Sequence, residues 1–161
     1  MATVASLDLA LESSNFKIAN VLNPNEKNAK SIFSASFAIT LKKLLKAGKS
    51  VIYVLPNPTL SYDINSCSII DRPFRLPGFI NKTCTEEASQ FFQIGGGQIF
   101  KDWVMGVLKD FPQVEVFDPA NTFCDRDNCF AAKNGKLLYR DKVHLSISGS
   151  DLVGPQLHRL I

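Results

Sequence analysis

The chain has 161 residues, of which 45% are hydrophobic and 20% charged, and its formal net charge is +3. This length and apolar content suit one core of ordinary size, so we expect a single domain over residues 1–161. The 18 basic and 15 acidic residues include no basic run, which argues against nucleic-acid binding. No apolar stretch approaches the roughly 20 residues of a membrane-spanning helix, and residues 1–15 do not resemble a signal peptide.

The first elements that the pattern predicts are a helix and a strand. Residues 25–47 have lysines between apolar positions that mostly recur three or four apart, and Gly48 follows as a stop, so we predict an amphipathic helix. Its apolar positions are Ile32, Phe33, Phe37, Leu41, Leu44 and Leu45. Residues 51–55 are β-branched, aromatic or aliphatic and end at Pro56, which predicts a buried strand. A helix, a tight turn and a buried strand form half of a parallel α/β unit.

The middle of the chain combines a long loop with a second helix. Residues 57–83 contain several prolines and show no period, which predicts an extended loop after the strand. A helix is expected over residues 86–110, kinked or split at the glycines 95–97. Its inward face would contain Phe92, Ile99, Trp103, Val104 and Val107. The glycines are not a phosphate-binding loop, because no Gly-Lys-Ser/Thr follows them.

The last third of the chain predicts two more short strands and a helix. Residues 114–117 form a strand closed by Asp118 and Pro119, and Asn134-Gly135 is a hairpin turn before a strand at residues 137–139. A helix over residues 148–161 would pack its apolar side chains inward, namely Leu152, Val153, Leu157 and Leu160. The alternation of helices and buried strands predicts a layered α/β/α domain.

Four cysteines bear on whether the domain lies inside or outside the cytoplasm. They fall into two local pairs, Cys67 with Cys84 and Cys124 with Cys129, and of the three possible connectivities this sequential one is favoured. Reduced thiols and a zinc site are the alternatives, although the Cys-x₂-Cys spacing of structural zinc sites is absent. If the cysteines are oxidised, the domain functions outside the cytoplasm.

Asp141 and His144 are the candidate catalytic residues. They are three residues apart just before the last predicted helix, a spacing that brings both side chains to one side of a helical turn. A hydrogen bond from His144 Nδ1 to the Asp141 carboxylate would fix the tautomer and leave Nε2 as a general base. The alternative is a surface ion pair that caps the helix. The other histidine, His158, is expected to be an ordinary surface residue near a helix C-terminus.

The sequence around this pair resembles a known family. The resemblance begins with a helix, a hydrophobic strand and Pro56-Asn57-Pro58, and continues with Asp118-Pro119 and the cysteines 124 and 129. It ends with residues 134–149, Asn-Gly-Lys-Leu-Leu-Tyr-Arg-Asp-Lys-Val-His-Leu-Ser-Ile-Ser-Gly. This order is similar to the end of the SGNH domain found in, or fused to, acyltransferase-3 membrane proteins that O-acetylate cell-surface polysaccharides. The resemblance extends from about residue 32 to the C-terminus. It implies a three-layer, flavodoxin-like α/β/α fold with a parallel sheet.

The resemblance assigns roles to two residues and leaves one role open. In that family the Asp-x-x-His block supplies the acid and base of a Ser-His-Asp triad, which correspond here to Asp141 and His144. The family nucleophile stands in a Gly-Asp-Ser block, and this tripeptide does not occur in the chain. Ser6, Ser13 and Ser14 have other neighbours and do not match the block. We therefore expect an N-terminally incomplete domain, a C-terminal fragment that is inactive by itself.

The resemblance also implies a function and partners. The expected reaction is acyl transfer to or from a cell-surface polysaccharide, with an acyl donor, a carbohydrate acceptor and no cofactor or metal. The expected location is periplasmic or otherwise extracytoplasmic, as part of an inner-membrane protein with an acyltransferase membrane domain. The alternative is a non-catalytic carbohydrate-binding or assembly module that uses the 57–83 loop, whose Tyr62, Phe74 and Phe79 could stack on sugars. A metal- or nucleotide-binding flavodoxin-like domain lacks support, because the chain has no acidic cluster or glycine loop of the required kind.

Overall fold

The computed structural model describes residues 23, 25, 26, 28–67, 84–88 and 97–161. These residues fall into two compact units, each built from two separate stretches of chain. The first unit comprises Met1–Leu55 and Gly95–Phe117, and the second comprises Pro56–Ile94 and Asp118–Ile161. Each unit is described below by itself and only over its described residues.

The first described element of the first unit is helix α1, Ala29–Lys46. Asn28 caps its N-terminus, because the side chain accepts a hydrogen bond from the Ser31 amide at 3.0 Å. At the other end Gly48 adopts a positive φ of 69°, and the Lys49 amide bonds back to the Leu44 carbonyl. Only glycine takes this left-handed conformation without strain, so the predicted stop at Gly48 is confirmed.

A parallel strand pair completes the predicted α/β unit. Strand β1 (Ile52–Val54) pairs in parallel with β3 (Glu115–Phe117), and Ile52 lies opposite Glu115 in the ladder. The expectation of parallel α/β structure is therefore confirmed. The strand is half-buried rather than buried, since the Val54 side chain is 41% exposed.

Helix α2, Gly97–Leu108, packs against α1 over an apolar core. The buried members of this core are Leu41, Leu55, Phe100, Val104, Val107, Leu108, Phe111 and Val114. The predicted inward face is wrong at one position, because Ile99 is 52% exposed whereas Phe100 is 1% exposed. The Phe100 ring lies 5.2 Å from that of Phe33 on α1, so the aromatic contact between the helices sets the rotation of α2.

The predicted helix over residues 86–110 is also wrong at its start. Strand β2, Thr85–Glu87, pairs antiparallel with β4, Asn128–Phe130, in the second unit. Backbone pairing beside the disulfide of Cys84 has overridden the helical pattern there. Ala88 is already helical, and helix α2 is described from Gly97 onwards. Residues 89–96, with Phe92, Gly95 and Gly96, lie outside the described residues.

The second unit contains short elements joined by turns. After β3 the chain forms the one-turn helix α3 (Ala120–Phe123), then β4, then the hairpin of β5 (Ala132–Lys133) and β6 (Lys136–Leu137). Both turn residues of the hairpin have positive φ, 52° at Asn134 and 73° at Gly135, as the predicted Asn-Gly turn requires. Residues 64–66 of the predicted long loop form a 3₁₀ turn, and residues 68–83 lie outside the described residues.

Helix α4, Ile147–His158, ends the unit. It begins one residue before the predicted helix and ends three residues earlier, because Ser146 caps its N-terminus and Arg159 follows as the C-cap. Leu152 and Val153 pack against the core of the unit as predicted, whereas Leu160 lies beyond the helix and is 37% exposed. That core consists of Leu60, Tyr62, Ile64, Cys67, Phe123, Cys129, Ala131, Leu138 and Tyr139. Among the described residues no helix is long and apolar enough to cross a membrane.

Candidate active site

Asp141 and His144 lie in a short closed loop of the second unit, between β6 and α4. Tyr139 and Leu145 form an isolated antiparallel bridge, and the Arg140 amide donates to the His144 carbonyl at 2.8 Å. This bond closes the loop at its base. We expected the two residues in a helical turn, and that expectation is wrong, since residues 140–144 form bends before α4 begins.

The Asp141 carboxylate organises the loop from inside. Its Oδ1 accepts hydrogen bonds from the backbone amides of Val143 at 2.9 Å and His144 at 2.8 Å. An aspartate whose side chain bonds to amides two and three residues ahead forms a local turn without help from a helix. This turn, and not a helix, therefore brings the side chains of Asp141 and His144 together.

The same carboxylate holds the imidazole ring. His144 Nδ1 lies 2.8 Å from Asp141 Oδ2 and 3.0 Å from Oδ1. Because an ionised carboxylate only accepts hydrogen bonds, Nδ1 carries the hydrogen and Nε2 is the ring nitrogen with a free lone pair in the neutral ring. The contact is the one that the sequence spacing predicts. Its catalytic use stays a prediction.

The electrostatics keep Asp141 ionised. Hydrogen bonds from the Val143 and His144 amides, and then the contact with the His144 ring, lower the pKa of Asp141 from 3.8 to about 2. The His144 and Asp141 side chains are 46% and 45% exposed. Arg140 Nε lies 3.8 Å from Asp141 Oδ2 on the exposed side, a contact that contributes little in water. A half-exposed carboxylate that is charged at neutral pH can orient an imidazole that solvent or substrate can reach.

Ser146 joins the loop to the helix that follows. Its amide donates to the Leu138 carbonyl at 2.9 Å and its Oγ donates to the Leu137 carbonyl at 2.6 Å. The same Oγ accepts from the Gly149 amide at 3.1 Å and so caps α4. Three hydrogen bonds of one serine thus fix the start of α4 against the end of β6.

Gly149 allows the backbone of α4 to approach the backbone of Leu138 closely. It is a buried residue of the first turn of α4, and a Cβ added to it would overlap the backbone carbonyl of Leu138. Sequence reasoning used Ser146 and Gly149 only as part of the family string and missed these roles. A serine close to a predicted helix start was the signal for the cap.

Two buried tyrosines, Tyr62 and Tyr139, belong to the core of the second unit. Tyr139 is 1% exposed and its ring lies 5.5 Å from that of Phe123. Burial raises the pKa of the Tyr139 phenol, and burial together with the Glu86 charge raises the pKa of Tyr62 to about 12. Both side chains are therefore neutral core groups at physiological pH. Tyr62, at 8% exposed, is not available for the sugar stacking that we considered, and Phe74 and Phe79 lie outside the described residues.

The cysteines form the two predicted disulfides, Cys67–Cys84 and Cys124–Cys129, and none is free. The alternatives of reduced thiols and a zinc site are therefore wrong. Within the Cys124–Cys129 loop, Asp125 accepts hydrogen bonds from the amides of Asp127 and Asn128, and these bonds lower its pKa. This aspartate stabilises a turn, as Asp141 does.

The described part of the chain contains no group of three His, Cys, Asp or Glu side chains arranged to hold a metal ion. A cleft of about 450 Å³ lies between the β5–β6 hairpin and the start of α4. It is lined by Lys133, Asn134, Lys136, Leu138, Ser148, Asp151 and Leu152. His158 is exposed at the end of α4, the surface position expected for it.

Comparison with known protein families identifies the family of the chain. The family model described as SGNH domain (fused to AT3 domains) matches residues 4–159. The match begins well before residue 32, where we expected the resemblance to start. No curated protein and no solved structure matches the chain significantly.

Proposed function

Because the chain belongs to the family of SGNH domains that are fused to acyltransferase-3 domains, we propose that it functions in acyl transfer on a cell-surface polysaccharide. His144 acts as general base and Asp141 as the residue that orients it. The observation that supports these roles is the 2.8 Å contact between Asp141 Oδ2 and His144 Nδ1. It leaves Nε2 to take a proton from a serine hydroxyl.

The proposed mechanism needs a nucleophile that is not assigned to any residue of this chain. A serine deprotonated by His144 would attack the acyl carbonyl, form an acyl-enzyme and release the donor's leaving group with the proton from His144. The acceptor hydroxyl of a sugar, or water, would then lose its proton to His144 and attack the acyl-enzyme carbonyl. The bond between the acyl group and the serine would break, and the serine oxygen would take the proton back from His144. The first outcome is O-acetylation and the second is deacetylation. The chain contains no Gly-Asp-Ser block, so the serine would come from another segment.

The proposal includes the finer architecture and the location. We place the chain in one three-layer α/β/α domain over residues 1–161, in an extracytoplasmic part of a membrane acyltransferase. The parallel pairing of β1 with β3 supports the first statement. The family's fusion to acyltransferase-3 domains and the two disulfides support the second.

The test uses p-nitrophenyl acetate as acyl donor with two proteins. The first is this chain, for which we expect no turnover above that of its His144→Ala variant. The second is the chain joined to an N-terminal segment with the Gly-Asp-Ser block of a family member. In the second protein His144→Ala should lower kcat/KM by about 10²–10⁴-fold, and Asp141→Asn should lower it as well.

The matched control is His158→Ala, which removes the other histidine of the chain and should leave turnover unchanged. Turnover by the chain alone above the His144→Ala variant would contradict the absence of a nucleophile. Turnover in the joined protein that does not depend on His144 would contradict its role as general base.

A second candidate function is carbohydrate binding without catalysis, and the cleft beside α4 favours it. Its volume of about 450 Å³ falls in the range of ligand sites, and its lysine, asparagine, serine and aspartate side chains offer donors and acceptors over an apolar floor. Titration of the chain with oligosaccharides separates the two functions. Binding that Lys136→Gln weakens, in a joined protein that lacks turnover, would favour the module.

A further inference from the structure

Glu86 is an unusual core residue of the second unit. It is 7% exposed and is the one charged side chain that is buried among the described residues. Removing a carboxylate from water is costly unless hydrogen bonds replace its hydration. A carboxylate at a buried position therefore calls for a role other than packing.

The Glu86 carboxylate makes one hydrogen bond within the described residues. Its Oε2 accepts from the Ser61 backbone amide at 3.2 Å, and its Oε1 has no hydrogen-bond partner there. The backbone of Glu86 is fixed, because it lies opposite Cys129 in the β2–β4 ladder and two residues after the disulfide of Cys84. The carboxylate therefore reaches from a cross-linked strand to an irregular segment.

That segment contacts the candidate active site directly. Leu60, the residue before Ser61, is 0% exposed and donates its amide hydrogen to the Lys142 carbonyl at 2.8 Å. Lys142 stands between Asp141 and Val143, inside the closed loop. Two hydrogen bonds thus connect Glu86 to the turn that holds His144, one to Ser61 and one from Leu60.

We propose that Glu86 is a positioning residue, which fixes residues 60 and 61 so that the Leu60 amide holds the Lys142 carbonyl and keeps Asp141 and His144 in register. The role rests on the proposed function of that loop. Its reach matters and its charge does not, because a hydrogen-bond acceptor at Oε2 is what the Ser61 amide requires. An apolar side chain of similar volume at this position would fill the core and leave the loop without its support.

The experiment compares Glu86→Leu, which removes the acceptor, with Glu86→Gln, which keeps an acceptor of the same reach and removes the charge. The readout is the pKa of Asp141, followed by the NMR shift of its carboxyl carbon. In Glu86→Leu we expect this pKa to rise from about 2 towards 3.8, because a loosened turn weakens the amide donors to the carboxylate. In Glu86→Gln we expect it to stay at about 2. Amide exchange at Leu60 should accelerate at least about tenfold in Glu86→Leu alone.

Val153→Ala is the matched control, since Val153 packs against the same core without touching these hydrogen bonds. It should lower Tm and leave the pKa of Asp141 unchanged, whereas Glu86→Leu should change the pKa without an equal loss of Tm. If Glu86→Leu does not fold, Glu86→Asp, which shortens the reach and keeps the charge, should raise the pKa in its place. An unchanged pKa in the acceptor-removing or shortened variant, or an equal rise in Glu86→Gln, overturns the proposal. Because no readout involves acyl transfer, this failure is distinct from failure of the p-nitrophenyl acetate test.

Discussion

The two units of the chain are stabilised by different interactions. In the first, α1 and α2 pack through aromatic and aliphatic side chains, and the rings of Phe33 and Phe100 lie 5.2 Å apart. In the second, α4 and the short strands depend on two disulfides, a serine cap and aspartate turns. Both units bury an apolar core, and the second adds cross-links and hydrogen bonds at particular atoms.

This difference bears on where the candidate active site lies. Asp141 and His144 are on a loop whose geometry is fixed by directional bonds, and a catalytic pair must be held to within about half an ångström. Hydrophobic burial is non-directional, whereas a hydrogen bond to a backbone amide fixes both a distance and an angle. We infer that core substitutions in the first unit change stability, and that substitutions at single polar atoms or glycines in the second change the geometry of the loop.

Phe100→Ala should produce the largest loss of stability. The ring is 1% exposed between α1 and α2, and its removal leaves a cavity, so the free energy of unfolding should fall by about 3–5 kcal/mol. Ile99→Ala, at the adjacent position that is 52% exposed, is the matched control and should change it by less than about 0.5 kcal/mol. Urea denaturation followed by circular dichroism measures both. Equal losses would contradict the orientation of α2.

Removal of the Cys67–Cys84 disulfide should cause the second-largest loss of stability. The cysteines are 17 residues apart, and loss of this loop constraint in Cys67→Ala/Cys84→Ala should cost about 3 kcal/mol. Cys124→Ala/Cys129→Ala opens a loop of only 5 residues and should cost about 2 kcal/mol. Hydrogen exchange gives a sharper test. The Ala131 amide, which bonds to the Cys84 carbonyl, should lose protection while the amides of α1 keep theirs. An equal loss of protection at the α1 amides would contradict the view that the disulfides stabilise the second unit in particular.

Gly149→Ala should destabilise the second unit by about 1–3 kcal/mol. The new Cβ overlaps the Leu138 carbonyl, so α4 has to move away from β6 and the hydrogen bonds of Ser146 weaken. Gly154→Ala is the control in the same helix, because nothing lies within 4 Å of its added Cβ and alanine favours helix. That variant should be neutral or more stable by up to about 1 kcal/mol. Thermal unfolding of the two variants distinguishes them, and a neutral Gly149→Ala would rule out the close approach.

The sequence predicted the first unit well because its signals are local and periodic. The spacing from Ile32 to Leu45 and the stop at Gly48 specify α1, and the β-branched run before Pro56 specifies β1. The errors arise from tertiary contacts. The prediction placed Ile99 in the core, whereas in the structure the neighbouring Phe100 is buried. The prediction placed Glu86 in a helix, whereas in the structure it pairs with β4 as part of a strand.

Of the candidate site, the sequence predicted the contact between the two side chains but not the backbone that makes it. The spacing of Asp141 and His144 predicted their contact, although the backbone between them is a turn made by the Asp141 carboxylate and not a helix. The support from Glu86 and Leu60 comes from residues about 55 and 80 positions away along the chain. No local pattern in a single sequence can reveal such pairings, because the ladder that places Glu86 forms only in the folded chain.

The smallest effect that we predict is the acid titration of Asp141. Its folded-state pKa of about 2 lies below the ordinary value of 3.8, so the native turn favours the ionised form. The contribution of this carboxylate to stability is fully present above about pH 4 and is lost as the pH falls through 2. Since the side chain is 45% exposed, water screens this contribution and the change in global stability should be small. The local change should be clear. The amide shifts of Val143 and His144 should titrate together with a midpoint near pH 2, and Asp141→Asn should abolish that transition. A midpoint near 3.8 would mean that the amides do not donate to the carboxylate in solution, and the loop of Asp141 would then lack the directional bonds that we contrast with the packing of the first unit.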